Sequence, residues 1–236
     1  MKRAAIIAAI VAALAFGLSQ ALIPPLIGAK VADSLERALG NGAEATARVS
    51  SRPALRMLFG EFDSVRVAVR NLLAGDLRFD TATLSTADVS IPLYKLPDSE
   101  LGWTRILGQA KIEAVLMEAD INAFLALSRG EGSRLRVQLE PGHAIVAAEV
   151  VFMGREFALE ADGAIDLRGA DRLVYDVESL KVDGQSLPGF LVDLATKAVS
   201  IGIDISRLPL GIQVTAIGVE EGVILLTGHT SGGGLQ

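Results

Sequence analysis

The chain has 236 residues, a formal charge of −6, 50% hydrophobic and 5% aromatic residues, and no cysteine. Without cysteine there is no disulfide framework, no thiolate metal site and no cysteine nucleophile. An acidic chain without basic runs is a poor match for nucleic acid or for an anionic lipid surface held by charge alone.

Met1-Lys2-Arg3 supplies positive charge, and Ala4 to Ile23 then carries no charged side chain. At about 1.5 Å per residue this stretch spans roughly 30 Å, the thickness of a bilayer's hydrocarbon core. Residues 1–23 are expected to be a membrane anchor or, with Ser19-Gln20-Ala21 as a small-residue cleavage pattern, a signal peptide. Either reading leaves Lys2 and Arg3 in the cytoplasm and puts the rest in the cell envelope outside it, or secreted if the segment is cut.

Pro24-Pro25 follows, and Leu26 to Leu39 reads as an amphipathic helix. Ile27, Val31, Leu35 and Leu39 form an i, i+4 row, with Lys30, Asp33, Ser34, Glu36 and Arg37 largely off it. Gly40 or Gly42 can take the positive φ of a helix C-terminus. Glu44 to Ser51 is expected to be a strand, and Pro53 to Phe59 a helical turn broken by Gly60. Val65, Val67 and Val69 alternate with polar or small residues as a strand, and Ala74-Gly75-Asp76 is a turn. Beyond it the apolar phase moves from Leu77 and Phe79 to Ala82 and Leu84, then to Ala87, Val89 and Ile91. Two slips in one run predict bulges in a curved strand.

Glu100 to Leu107 reads as a short helix and Ile112 to Met117 as a strand, with Asp120 capping a helix over Ile121 to Leu127. Trp103 is placed either as an interfacial anchor touching the membrane or as a core plug. Residues 133–182 read as a four-stranded antiparallel meander with one apolar and one wet face. Its clearest strand turns Phe157, Leu159 and Ala161 one way, and Glu156, Glu160 and Asp162 the other. Pro188-Gly189 opens a second helix, Phe190 to Ile201, apolar around most of its circumference. Leu210 to Val219 and Val223 to Thr227 form a closing hairpin, and Ser231 to Gln236 is a Gly-rich tail.

These elements predict an α+β fold: a long curved antiparallel sheet wrapped around two apolar helices, after the N-terminal transmembrane or signal helix. The domains are then 1–23, a lipid-binding body over 24–230, and a flexible tail over 231–236. Incomplete filling between sheet and helices leaves an elongated apolar groove that accommodates an acyl chain at roughly 0.8 kcal/mol per buried methylene. Its expected lining is Ile27, Val31, Leu35 and Leu39 from the first helix, with Phe157 and Leu159 from the meander. The second helix would add Phe190, Leu191, Leu194, Ala198 and Ile201. A fully packed core is the alternative.

No HExxH, GxSxG, GxxxxGK or GxGxxG pattern occurs. His143 lies in a turn and His229 near the tail, and Ser186 lacks the second glycine of a nucleophile elbow. Glu156, Glu160, Asp162 and Asp166 at strand spacing read as a solvated face rather than a cation site. No catalytic residue, metal or cofactor is expected.

Several stretches together resemble the LmeA-like family of bacterial cell-envelope phospholipid-binding proteins, whose fold is similar to the tubular lipid-binding (TULIP) domains. They are Pro53 to Leu58 leading into Gly60-Glu61-Phe62-Asp63-Ser64-Val65, the run Leu77 to Ile91, and Glu118-Ala119-Asp120-Ile121-Asn122-Ala123-Phe124-Leu125. Leu208-Pro209-Leu210-Gly211-Ile212 with the terminal hairpin completes the set. The likeness covers nearly the whole chain and rests on the order and spacing of weak motifs. It implies phospholipid held in an elongated apolar cavity outside the cytoplasmic membrane, and brings no catalytic residue. The expected function is a membrane-tethered extracytoplasmic phospholipid-binding or lipid-transfer protein, with phospholipid and the cytoplasmic membrane as partners. The alternative is a non-enzymatic assembly factor of the envelope with a packed core and a protein partner.

Overall fold

A computed structural model describes residues 2–40, 42–129, 135–152, 155–186 and 202–230. The second helix expected over Phe190–Ile201, with Phe190, Leu191, Leu194, Ala198 and Ile201, lies outside the described residues, as does the tail over 231–236. In chain order the helices are α1 (Lys2–Leu39), α2 (Glu100–Leu107) and α3 (Glu118–Arg129). The first strands are β1 (Glu44–Ser50), β2 (Glu61–Ala74), β3 (Leu77–Ser90) and β4 (Lys111–Met117). The meander is β5 (Arg136–Glu140), β6 (His143–Phe152), β7 (Arg155–Arg168) and β8 (Arg172–Val182). The short β9 (Gln185–Ser186) and β10 (Gly202–Asp204) precede the hairpin of β11 (Ile212–Glu220) and β12 (Val223–Thr230).

One sheet runs β1-β2-β3-β4-β12-β11, and the other β10-β8-β7-β6-β5 with β9 paired to β8. This is the α+β, mostly antiparallel arrangement expected. The predicted meander is present in order, and β9 and β10 extend it. The described residues form two compact units, one of residues 2–40, 42–69, 83–111 and 230, the other of 70–82, 112–129, 135–152, 155–186 and 202–229.

In the first unit, α1 lies on β1. Its buried stripe is Ile27, Gly28, Val31, Ala32, Ser34 and Leu35, wider than the single row read from the sequence. Gly28 sets the approach: a β-carbon there would sit 2.5 Å from the Ala47 carbonyl oxygen. Polar contacts fix the helix's height. Ser34 Oγ donates to Pro97 O at 2.5 Å, Lys30 Nζ to Leu93 O at 3.1 Å, and Ala45 N–H to Glu36 Oε1 at 2.6 Å. Gly40, at φ +63, ends the helix and donates its N–H to Glu36 O.

Four expectations need correction. Pro24 and Pro25 do not separate two segments: α1 runs through both. Each removes one intrahelical N–H without ending the helix. Trp103 is fully buried in α2, so it plugs the core and presents no ring to a membrane. Asp120 does not cap α3, which begins two residues earlier. It lies in the first turn, where its Oδ1 takes a 2.8 Å ion pair from Arg78. The apolar phase also slips where no slip was expected. In β2 the buried set passes from Val65, Val67 and Val69 to Leu72 and Ala74, across Asn71 at φ +53. The slip between Phe79 and Ala82 in β3 is as predicted, but Ala87 is exposed and Val89 half-buried, so of the last trio only Ile91 joins the core.

At the N-terminus the side chains of residues 2–5, 8, 9, 12 and 15 are not described. Among the described residues, no helix is long and apolar enough to cross a membrane.

Candidate functional site

The second unit carries its apolar face on β5–β8. Cross-strand pairing places Ala148 opposite Leu159, Val146 opposite Ala161 and Ile165 opposite Tyr175. Ala161, Leu173 and Tyr175 are buried, whereas Ala148, Phe157 and Leu159 are only partly covered. The face is therefore shut toward one end of these strands and open toward the other. A register shift at Asp162/Gly163 leaves Glu178 as an extra residue in β8 and moves that strand's buried set from Tyr175 to Leu180.

β5 is an edge strand of this sheet, and α3 closes its edge with side chains. Asn122 donates Nδ2–H to Val137 O and accepts the Val137 N–H at Oδ1, both at 2.8 Å. Glu118 Oε2 accepts the Leu139 N–H at 2.8 Å, and Gly222 N–H donates to Leu139 O at 3.1 Å. Asn122 thus stands in for a neighbouring strand, and the edge is unavailable for pairing with another chain. Asn122→Ala removes two hydrogen bonds and strands a buried backbone pair; a loss of about 2 kcal/mol is expected, read as a lower urea midpoint at unchanged slope.

Beside this edge lies a cavity of about 810 Å³. Its walls are largely small or aliphatic: Ala126 and Leu135, Ala147 and Ala148 of β6, Ala158 and Leu159 of β7. Gly184 closes one side, and Asn122, Arg136, Glu149 and Glu160 supply polar groups. Ala148 and Leu159 meet the cavity from the apolar side of the sheet, whereas Ala147, opposite Arg136 and Glu160, and Ala158, opposite Glu149, are exposed on the other side. The β8–β9 turn is held to β7 by Asp183, whose Oδ1 accepts the Ala158 N–H at 3.0 Å and whose N–H donates to Ala158 O at 2.9 Å. Positive φ at Asp183 and Gly184 gives this hairpin its two-residue turn.

Of the residues expected to line a groove, Leu159 lines this cavity. Phe157 sits on the same face of β7, half-buried, with the Arg155 guanidinium 6.0 Å from its ring centre. Ile27, Val31 and Leu35 belong to the first unit and are 8%, 0% and 0% exposed, which leaves them no surface for a guest; Leu39 is half-buried. Elsewhere in the second unit's core the packing is tight. Voids of only about 20 and 10 Å³ lie beside Ile121, Val146 and Tyr175, and beside Leu72, Ile112 and Val214. The other ten residues lining the larger cavity, Ala126, Leu135, Arg136 and Ala148 among them, were not among those the sequence pointed to for a groove.

On the wet face of β7, Glu160 has a partner on the neighbouring strand. Lys181 pairs with Glu160 at 2.5 Å, which raises the lysine's pKa. Among the described residues, no group of three or more His, Cys, Asp or Glu is placed to hold a metal ion. His143 Nε2 lies 3.2 Å from Glu140 Oε2 in the β5–β6 turn.

Tyr175 anchors the shut end. Its hydroxyl donates to Ala161 O at 2.8 Å and lies 3.2 Å from Ala144 O. Burial, with Asp162 and Glu178 nearby, pushes its phenol well above the ordinary tyrosine value. The folded chain then holds this proton more tightly than the unfolded chain does. Its stabilisation is whole below about pH 10, the unfolded value, and is lost as pH rises toward the raised folded value. The stability gap between wild type and Tyr175→Phe should therefore narrow above about pH 10, measured by urea unfolding across pH.

The fold and the site define an α+β protein with an open cleft, lined by apolar and charged residues, beside one sheet edge. The chain belongs to the LmeA-like phospholipid-binding family, whose model matches residues 19–229. Neither a curated protein nor a solved structure matches it.

Proposed function

We propose that this chain is a membrane-tethered, extracytoplasmic phospholipid carrier. It holds an acyl chain in the cavity bounded by α3, β5, β6 and β7, leaves the headgroup at the mouth, and does no chemistry on the lipid. The observation that carries this reading is the cavity itself: about 810 Å³ inside a phospholipid-binding family fold. That volume lies in the range of ligand sites, which run from about 300 to 1,000 Å³. Ten methylenes buried there are worth roughly 8 kcal/mol before the cost of association. Exposed Arg136 at the wall offers a cation to a headgroup phosphate.

For the tether, the support is a set of exposed apolar side chains on α1: Ile6, Ile7, Ile10, Val11, Leu14 and Leu18, each more than half exposed. Lipid is a better solvent than water for such a surface. The charge-free run after Lys2-Arg3 supports an orientation with the body outside the cytoplasm.

Native mass spectrometry of delipidated protein, offered phosphatidylglycerol in mild detergent, tests the carrier. One bound lipid per chain is expected. A folded, monomeric protein that takes up none would overturn the proposal. The tight packing around Val31 and Leu35 favours a second reading, an assembly factor of the envelope with a protein partner. Stoichiometric capture of one envelope protein without lipid would support it.

A further inference from the structure

Two arginines face each other on the first unit's sheet with no acid between them. Ser50 Oγ and Ser64 Oγ are 2.7 Å apart, and Thr46 Oγ1 donates to Ala68 O at 3.4 Å. Those contacts set the register of β1 on β2, and it puts Arg48 directly opposite Arg66 on the exposed face. Arg66 Nε reaches on to Ser85 Oγ of β3 at 3.4 Å. Like charges directly opposite on neighbouring strands destabilise a sheet. The chain has acids to spare, 28 against 22 basic residues, and it uses them elsewhere. Glu61 and Asp63 of β2 both pair with Arg56, at 2.9 and 3.1 Å. Arg78 has Asp120, and Arg168 has Asp176.

Around Arg48 and Arg66 is a cleft of about 240 Å³. Its other polar walls are the hydroxyls of Ser50, Ser64 and Ser85; Thr86 also borders it, with its own hydroxyl donated to Leu107 O at 3.5 Å, and no carboxylate lines it among the described residues. Two guanidiniums beside the hydroxyls of Ser50, Ser64 and Ser85 are complementary to a tetrahedral oxyanion, which takes paired N–H donors from arginine and single bonds from hydroxyls. We propose that this cleft binds a phosphate group, and that the bound anion offsets the repulsion built into the Arg48–Arg66 pair. The phosphate comes from a lipid headgroup or from free phosphate. The site is separate from the acyl cavity and does not depend on it.

Thermal unfolding of the full chain at fixed ionic strength tests this, with sodium chloride exchanged for inorganic phosphate or for glycerol 3-phosphate, a headgroup fragment without acyl chains. At ten times Kd the wild-type Tm should rise by about 3 °C. The double variant Arg48→Gln, Arg66→Gln should bind at least tenfold more weakly and show no rise. Arg105→Gln, on α2, should respond as wild type. Without anion, Arg48→Gln alone should be at least as stable as wild type, because it removes the like-charge opposition. A response to glycerol 3-phosphate assigns the headgroup, and a response to inorganic phosphate alone assigns the free anion. No specific rise with either, or a rise that survives in the double variant, overturns the site. Native mass spectrometry of the double variant keeps the two proposals apart, since acyl-lipid uptake should persist in it.

Discussion

Ala148→Trp is expected to abolish phospholipid uptake and leave the protein folded. Ala148 lies across from Leu159, both line the cavity, and Ala148 is only partly covered. An indole projecting from β6 would occupy the space an acyl chain needs, without forcing any fully packed neighbour to move. Excluding even four methylenes removes about 3 kcal/mol of burial, roughly a hundredfold in Kd. The variant should show the wild-type circular dichroism spectrum and melting behaviour, with no lipid adduct in native mass spectrometry. Undiminished uptake by a folded Ala148→Trp protein would mean that the guest sits somewhere other than this cavity.

Gly163→Val carries the largest expected cost in stability. Gly163 is buried in β7, with β6 on one side and β8 on the other, at the point where the β7–β8 register shifts. A β-carbon there would stand 2.1 Å from Asp176 O and 2.9 Å from Val177 Cα. Both are backbone atoms, so no rotamer change relieves the clash; the strands must separate or the bulge must be lost. Because Ala148 and Leu159 depend on the same register, cavity and fold should suffer together. A loss of about 3 to 5 kcal/mol is expected, seen as a large drop in urea midpoint. Gly184→Ala, in the exposed β8–β9 turn with open space around its α-carbon, meets no such contact and should cost far less despite its positive φ.

Alternation was the most legible signal. Phe157 to Leu167 declared β7 and its apolar face, and the meander from β5 to β8 follows its pattern. The bulge in that meander was not legible, because Gly163 continues the alternation of β7 and the extra residue, Glu178, sits in its partner. Half-legible is the fair description of α1: Ile27, Val31 and Leu35 were found, but Gly28, Ala32 and Ser34 were missed. A glycine, an alanine and a serine carry no hydrophobic signal, yet here they let a helix approach β1 closely.

Residue order alone determined the fold class, the exclusion of cysteine chemistry and the likeness to a phospholipid-binding family. These depend on periodicity and composition, which are local properties of the chain. Tertiary structure decided which apolar residues face one another and which are left short of a partner. It consumed Val31 and Leu35 in packing, sank Trp103 into the core, and set Ala148 against Leu159 at the partly covered end of the meander's apolar face. The same register that set Ser50 against Ser64 brought Arg48 against Arg66, a pairing of residues 18 positions apart that no local pattern contains. Cavities and charge constellations are made by strand register, and register is set by contacts between distant segments.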